Sequence, residues 1–203
     1  IKIMAIITDI NDLDFSKKYT YADYLNWQFD EMVELIRGKV YRMSPAPNLE
    51  HQRLSARLFT LINVFLMKGN CEAFTAPFDV RLPLPPKKAK KNKIDTVVQP
   101  DITVVCNPEI LDMAGCNGAP DWVIEVLSKS TSKKDLTEKF ELYQHAGIPE
   151  YWVAHPMDGT LIIFRLDADG KYQSLQPQPF TSGDKISPLA FPKLKIDLTK
   201  VFS

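Results

Sequence analysis

The sequence predicts an α+β or three-layer α/β domain built on a central mixed sheet. Three observations carry this. Helical and extended segments are segregated along the chain: after an N-terminal helix and hairpin come a helix, three strands, a helix and two strands. Two of the strands, within 97–106 and 122–127, are nearly continuous apolar runs, the pattern of strands covered on both faces. Residues 48–69 place Leu54, Leu58, Leu61, Ile62 and Phe65 on one broad apolar face, as a helix packing on a sheet requires.

Each element has its local reason. Residues 19–29 read as a first helix, capped by Thr20, with Tyr21, Tyr24, Leu25 and Phe29 as an apolar stripe. Segments 33–36 and 40–43 flank Arg37-Gly38-Lys39, a hairpin signal with Gly38 in the turn. Ser44-Pro45-Ala46-Pro47 breaks regular structure. Asn48 caps the second helix and Gly69 suits its C′ position. The first of the three strands lies within 72–82, centred on 78–82. The stretch 83–93 is a lysine- and proline-bearing loop. The third helix runs from about Ser132, where Ser132-Lys133-Lys134-Asp135 resembles a capping box, to His145, and Gly147 ends it. Strand 151–154 turns at Gly159 into an antiparallel strand 161–166. The tail 173–203 reads as irregular chain with one or two edge strands. The expectation is a single domain over 1–203, with the helix and hairpin at 19–44, the core at 48–166 and the tail at 173–203.

The composition excludes several classes. Of the 203 residues 45% are apolar and 25% charged, which disfavours a disordered or fibrous chain. Twenty-five Lys+Arg balance 25 Asp+Glu, which excludes a globally basic nucleic-acid binder and leaves a local basic surface open. The best apolar run, 61–67, is interrupted by Asn63, so no transmembrane helix is expected. No signal-peptide pattern is expected, and Met4-Ala5 reads as a natural start. Cys71, Cys106 and Cys116 are odd in number and widely spaced, which suggests buried thiols in a reducing cytoplasm.

Two carboxylates break the apolar pattern. Asp101 stands within 97–106 and Glu125 within Trp122-Val123-Ile124-Glu125-Val126-Leu127. A buried carboxylate needs a cation or hydrogen bonds. One alone reads as a structural acceptor; two on sequential buried strands read better as ligands of a hard divalent cation, Mg²⁺ or Mn²⁺. Lys139 falls about 60° from Leu136 on the helical wheel, at the edge of the apolar face that carries Phe140 and Tyr143. A surface Asp135–Lys139 pair at i, i+4 accounts for it equally well.

Pro100-Asp101 followed by Glu125-Val126-Leu127 resembles the PD-(D/E)xK nuclease motif with its lysine replaced by Leu127. The wider set is more specific. Val33-Glu34-Leu35-Ile36-Arg37-Gly38, Ser44-Pro45 with His51-Gln52, Val98-Gln99-Pro100-Asp101 and Ala119-Pro120-Asp121 resemble the Uma-two endonuclease-like family. So do Ile124-Glu125-Val126-Leu127-Ser128, Asp135-Leu136 with Lys139, and Ala146-Gly147-Ile148-Pro149-Glu150-Tyr151-Trp152. The resemblance spans about 19–202. Arg37 and His155 depart from it, standing where acidic residues are common before Gly38 and Pro156.

The resemblance implies a restriction-endonuclease-like fold and Mg²⁺-dependent hydrolysis of phosphodiesters in nucleic acid, with DNA the expected partner. Asp101 and Glu125 would hold the metal, with the Val126 carbonyl as a further ligand. Lys139 would replace the missing lysine, orienting the attacking water or stabilising charge. Glu34 would complete the acidic cluster, and His51 and Gln52 would contact a phosphate or a metal-bound water. Without the resemblance, Glu34 reads as a solvated strand carboxylate and His51 as a polar residue of an exposed first turn. Asp79 shares a strand face with Arg81 and reads as its ion-pair partner. Asp121 reads as a strand-start residue. Lys87, Lys88, Lys90, Lys91 and Lys93 read better as a solvated loop than as a phosphate-binding run. Tyr21, Tyr24 and Trp27 read as core or interface aromatics. The rivals to a DNA nuclease are a catalytically weak binding or regulatory module on the same fold and a hydrolase of another phosphate ester. A homodimer suits two-strand cleavage.

Overall fold

The computed structural model of the protein describes residues 6–43, 48–83, 93–128 and 135–203. Met4-Ala5, the Ser44-Pro45 break, the loop lysines except Lys93, and the 132–134 start of the third helix lie outside the described residues.

The first helix, α1 (Tyr21–Tyr24), is far shorter than the expected 19–29. Thr20 opens it in a capping box with Asp23. The chain then leaves helical geometry because Ile7 pairs with the segment beyond: Gln28 N donates to Ile7 O and Ile7 N to Asn26 O. Pairing with a distant segment outweighs the local helical stripe. The hairpin forms as predicted, with β1 (Val33–Ile36) antiparallel to β2 (Lys39–Arg42), but its second strand starts one residue before the expected 40–43 because Lys39 pairs with Ile36. Its turn residues, Arg37 and Gly38, both have positive φ, 51° and 84°. That is the two-residue turn whose twist matches a hairpin. A Cβ on Gly38 would also fall 2.9 Å from Lys18 Cβ.

The helix α2 (Leu49–Leu66) carries the expected Asn48 cap, which accepts from His51 N at 2.9 Å. It buries Leu54, Leu58, Ile62 and Leu66, each stabilising by roughly 2 kcal/mol. Gly69 is not left-handed: the helix closes at Met67, and Gly69 N donates to Leu66 O.

Two expected strands each break into two. Residues 72–82 give β3 (Glu72–Thr75) and β4 (Val80–Arg81), and residues 97–106 give β5 (Val97–Val98) and β6 (Ile102–Val105). Each break carries the chain from one sheet to another. Pro77 and Pro100 stand at these corners, where a missing N–H costs no ladder bond. The next strands are β7 (Leu111–Asp112), β8 (Gly115–Asn117) and β9 (Trp122–Val126). The third helix ends as predicted: α3 (Phe140–Ala146) closes on left-handed Gly147. Its crossover brings β10 (Glu150–His155) parallel to β9, and β11 (Thr160–Leu166) returns antiparallel.

The tail is more ordered than expected. It holds β12 (Tyr172–Ser174), β13 (Phe180–Thr181), β14 (Lys185–Ile186), β15 (Ile196–Asp197) and α4 (Leu198–Phe202). Ile186, Leu194, Ile196, Leu198 and Val201 are spaced too irregularly to show a period, yet all enter the core.

Among the described residues, one mixed sheet has the order β12-β11-β10-β9-β6-β3 with β13 on β11, and a second the order β2-β1-β5-β4-β8-β7. One face of the first sheet packs on α2 and α4 through Ile102, Val104, Trp122, Ile124 and Val126. The other face packs on α3 and the second sheet through Val105, Val123, Leu127 and Val153. The expectation of three free thiols is corrected: Cys71 and Cys106 form a disulfide, and only Cys116 is free. The β3–β6 register ends at Glu72↔Val105, so the next residues, Cys71 and Cys106, face each other with Cα atoms 4.1 Å apart. No helix of the described residues is long and apolar enough to cross a membrane.

Candidate functional site

Strand β9 sends Trp122, Ile124 and Val126 toward α2, and Val123, Glu125 and Leu127 toward α3. Glu125 is thus 3% exposed on the face that α3 covers, with Leu127 packed in the apolar cluster beside it. The ammonium comes from the covering element. Lys139 ends a π turn (Asp135–Lys139) that leads into α3 and is 4% exposed. Its Nζ lies 2.7 Å from Glu125 Oε1 and 2.9 Å from Glu34 Oε1. Of the two readings of Lys139, the inward one matches this contact; the side chain of Asp135, its surface rival, lies outside the described residues. π turns are rare and are frequently found at functional sites. Tyr143, four residues on, donates to Glu125 Oε1 at 2.6 Å. Burial, then the neighbouring Glu125 carboxylate, push the Tyr143 hydroxyl well above its ordinary pKa, so it stays a donor.

Glu34, on β1, is 1% exposed, not a solvated strand carboxylate. It also accepts from Gln99 N at 3.1 Å. The Gln99 side chain continues to Asp79 Oδ1 at 2.8 Å, which Tyr24 also approaches with its hydroxyl at 3.3 Å. The expected Asp79–Arg81 pair is replaced. Arg81 reaches Asp112 at 2.6 Å and the carbonyls of Gly115 and Cys116. Burial raises the Asp79 pKa, against the bonds from Gln99 and Tyr24.

Asp101 sits at the corner between β5 and β6, not inside a buried strand, and its side chain is 20% exposed. The β6–β9 register ends at Ile102↔Ile124, so Asp101 stands one rung further, opposite Glu125. Its carboxylate accepts from Val126 N at 2.8 Å and lies 3.2 Å from His51 Nε2. His51 is buried on the inner side of α2, not in an exposed turn, while Gln52 next to it is exposed. Asp121 accepts from Cys106 N at 2.7 Å, as a strand-start residue does. Tyr21, Tyr24 and Trp27 pack in apolar clusters, as read. Lys93 is exposed.

Direct contacts therefore join Glu34, Glu125 and Lys139 in one group and His51 with Asp101 in another. The adjacent residues Glu125 and Val126 connect the two. Among the described residues no group of three or more His, Cys, Asp or Glu is arranged to enclose a metal ion. At the β6–β9 corner Asp101 and Glu125 stand on neighbouring rungs beside the Val126 peptide, but their contacts lie with different elements: Asp101 with His51 of α2, Glu125 with Lys139 and Tyr143 at α3. Carboxylate and carbonyl oxygens are the donor type that a hard cation such as Mg²⁺ takes.

Sequence reasoning missed two contacts. Tyr143 was a core aromatic on the wheel; its i, i+4 spacing from Lys139 was the signal that both reach one point. Tyr41, opposite Glu34 in the hairpin, bonds to Glu138, the residue before Lys139. Burial and that carboxylate push the Tyr41 hydroxyl up to about 12. No sequence signal pairs these two.

The profile of the Uma2 family, described as "Putative restriction endonuclease", matches residues 21–199, in agreement with the resemblance of the motifs. The chain is 26% identical over 164 residues to "Uncharacterized protein slr1290" of Synechocystis sp., covering 79% of this chain and 81% of that protein. Its fold is similar to the crystal structure of "a putative nuclease belonging to DUF820" from Anabaena variabilis, with a TM-score of 0.68 at 20% identity. That match covers 90% of this chain and 97% of the other and bears out the restriction-endonuclease-like fold.

Proposed function

The chain belongs to the Uma2 family, and on that premise we propose that it is a PD-(D/E)xK-type nuclease that hydrolyses phosphodiester bonds of DNA with Mg²⁺ or Mn²⁺. The observation that carries this reading is the buried Lys139 ammonium within 2.9 Å of both Glu34 and Glu125, beside the Asp101 corner.

Asp101, Glu125 and the Val126 carbonyl are the groups that would hold the ion. A bound divalent ion supplies a water of lowered pKa and offsets charge on the phosphate. Val126 N–H and His51 orient the Asp101 carboxylate. Tyr143 holds Glu125 in one rotamer. Lys139 presents a fixed positive charge where the pentacovalent phosphate develops negative charge. Water adds to phosphorus, the P–O3′ bond breaks, and the water's proton loss is balanced by protonation of the 3′-oxygen. The product carries a 5′-phosphate. A homodimer would set one site on each strand.

Incubation of the protein with plasmid and Mg²⁺ or Mn²⁺, beside Asp101→Ala and Glu125→Ala, tests the proposal. Cleavage by the parent alone is expected. Cleavage that survives both substitutions would sink this site. DNA binding without cleavage or calorimetric metal uptake would favour the binding-module reading, for which Leu127 at the motif's lysine position speaks.

A further inference from the structure

Arg37 occupies the hairpin turn at φ 51°, a left-handed conformation that glycine, asparagine and aspartate adopt more readily than arginine. The turn is held firmly. Arg37 N donates to Thr96 Oγ1 at 3.1 Å, Gly38 N to Asp95 O at 2.7 Å, and Tyr19 N to Gly38 O at 2.8 Å. A residue kept in an unfavourable backbone state by its surroundings is a reason to ask what its side chain does.

The Arg37 side chain is exposed, and among the described residues it has no ion-pair partner. Its Nη2 lies 3.4 Å from His145 Nδ1, but that nitrogen is 2.7 Å from the Glu141 carbonyl. A carbonyl takes a proton from Nδ1, so Nδ1 is no acceptor for the guanidinium. Lys18 packs its stem against Gly38, and Lys39 follows the turn. Both are exposed and likewise lack an ion-pair partner among the described residues. The nearest backbone contact carries Asp95, whose carboxylate takes the Thr96 hydroxyl. Three cations thus surround one rigid turn, and among the described residues none of them is in a direct ion pair; the Asp95 carboxylate lies beside the turn, held by the Thr96 hydroxyl, and Glu138 is bonded to Tyr41.

Their position relative to the site follows from two contacts. Glu34 meets Lys139 at the start of α3, and Arg37 meets His145 in its last turn. Three strand residues span about 10 Å and six helical residues about 9 Å, so β1 runs alongside α3. Arg37 therefore stands roughly 10 Å from the buried carboxylates, on the rim of the same hairpin–helix seam.

We propose that Lys18, Arg37 and Lys39 form a phosphate-contacting surface for the backbone of duplex DNA flanking the scissile bond. This rests on the nuclease reading and names where its substrate lies. An arginine fork suits a backbone phosphate, and the lysines add point charges on either side.

The test is fluorescence anisotropy of a labelled DNA duplex across a NaCl series, in EDTA so that no cleavage intervenes. Arg37→Gly is the informative variant, because glycine relieves the backbone while deleting the cation. It is expected to raise the melting temperature, weaken binding about fivefold at 100 mM salt and lower the slope of log K against log salt by about 0.9. Adding Lys18→Ala and Lys39→Ala is expected to lower the slope by about 2.7 in all. Parent and triple variant binding with equal affinity and slope would overturn this surface and leave the nuclease reading intact. A parent that binds no duplex in EDTA would likewise overturn this surface, while the plasmid cleavage assay with Mg²⁺ or Mn²⁺ decides the nuclease reading separately.

Discussion

Lys139 Nζ lies 2.7 Å from Glu125 Oε1, although the two belong to different elements and stand on opposite sides of a buried interface. The same ammonium reaches Glu34 at 2.9 Å, so one cation serves two carboxylates that are almost wholly out of water. Removing one partner of such a pair leaves uncompensated buried charge. Lys139→Met is expected to cost about 3–5 kcal/mol at pH 7 in urea unfolding, and to abolish cleavage. A cost below about 1 kcal/mol would show that the contact is not maintained in solution.

Asp101 is a different case, because it is half-buried at a corner between strands rather than inside the core. Asp101→Asn keeps an oxygen for the Val126 N–H. Its melting temperature is expected to stay within a few degrees of the parent, roughly. Calorimetric Mg²⁺ or Mn²⁺ binding should disappear with the carboxylate's charge. Undiminished metal affinity would remove Asp101 from the ligand set.

Leu127 fills the position of the motif lysine but packs in the apolar cluster under α3. Leu127→Lys places a second ammonium there while Lys139 already neutralises the neighbourhood. We expect a loss of about 3 kcal/mol or more in chemical denaturation. In a Lys139→Ala background the same substitution should cost less, because Glu125 shares a strand face with position 127. Equal costs in both backgrounds would mean that position 127 does not couple to the site.

The Cys71–Cys106 bond closes a segment with a sequence separation of 35. In the chain-entropy description such a closure stabilises by about 3–4 kcal/mol, so reduction should lower the melting temperature. Cys116 is buried, and burial pushes its thiol up to about 12. Thiol titration should therefore find no fast-reacting group in the native protein, one after denaturation and three after reduction. Three thiols without reductant would remove the disulfide.

Glu150 takes the Trp152 indole at 2.8 Å, the Arg165 guanidinium at 3.4 Å and the Leu189 N–H, pinning the tail to the sheet. Burial nonetheless raises its pKa above the ordinary 4.5, against those bonds. A raised native pKa means the folded state holds the proton longer than the unfolded chain. Stability from this group is present below the unfolded value and is lost as pH rises through the native one. Glu150→Gln removes that term. In denaturation from pH 4 to 7 the variant should gain on the parent as pH rises, and a relative loss would contradict the sign.

Much of this was legible in the chain. The α2 stripe and its Asn48 cap are local patterns, and they fold as written. The hairpin turn and Gly147 are similarly local, set by which residues tolerate positive φ. Glu125 stood out because it interrupts a strand otherwise composed of apolar side chains, and a lone charge in such a run signals a buried partner. Asp101 stood out for the same reason but was misplaced. A proline corner between two short strands has the same apolar composition as one long strand, and composition does not record which sheet each half joins.

The sequence by itself determined the family, the main helix, the hairpin and the two carboxylates that break an apolar pattern, because each is written in residues close along the chain. Tertiary structure alone decided that 72–82 and 97–106 divide between two sheets, that the 19–29 stripe yields to pairing with Ile7, and that Cys71 meets Cys106 across a register. It also decided that Lys139 points inward: a π turn and the packing of α3 over β9 bring together residues 14 and 105 positions apart in sequence. Such contacts depend on how whole elements dock, which no local window of residues encodes.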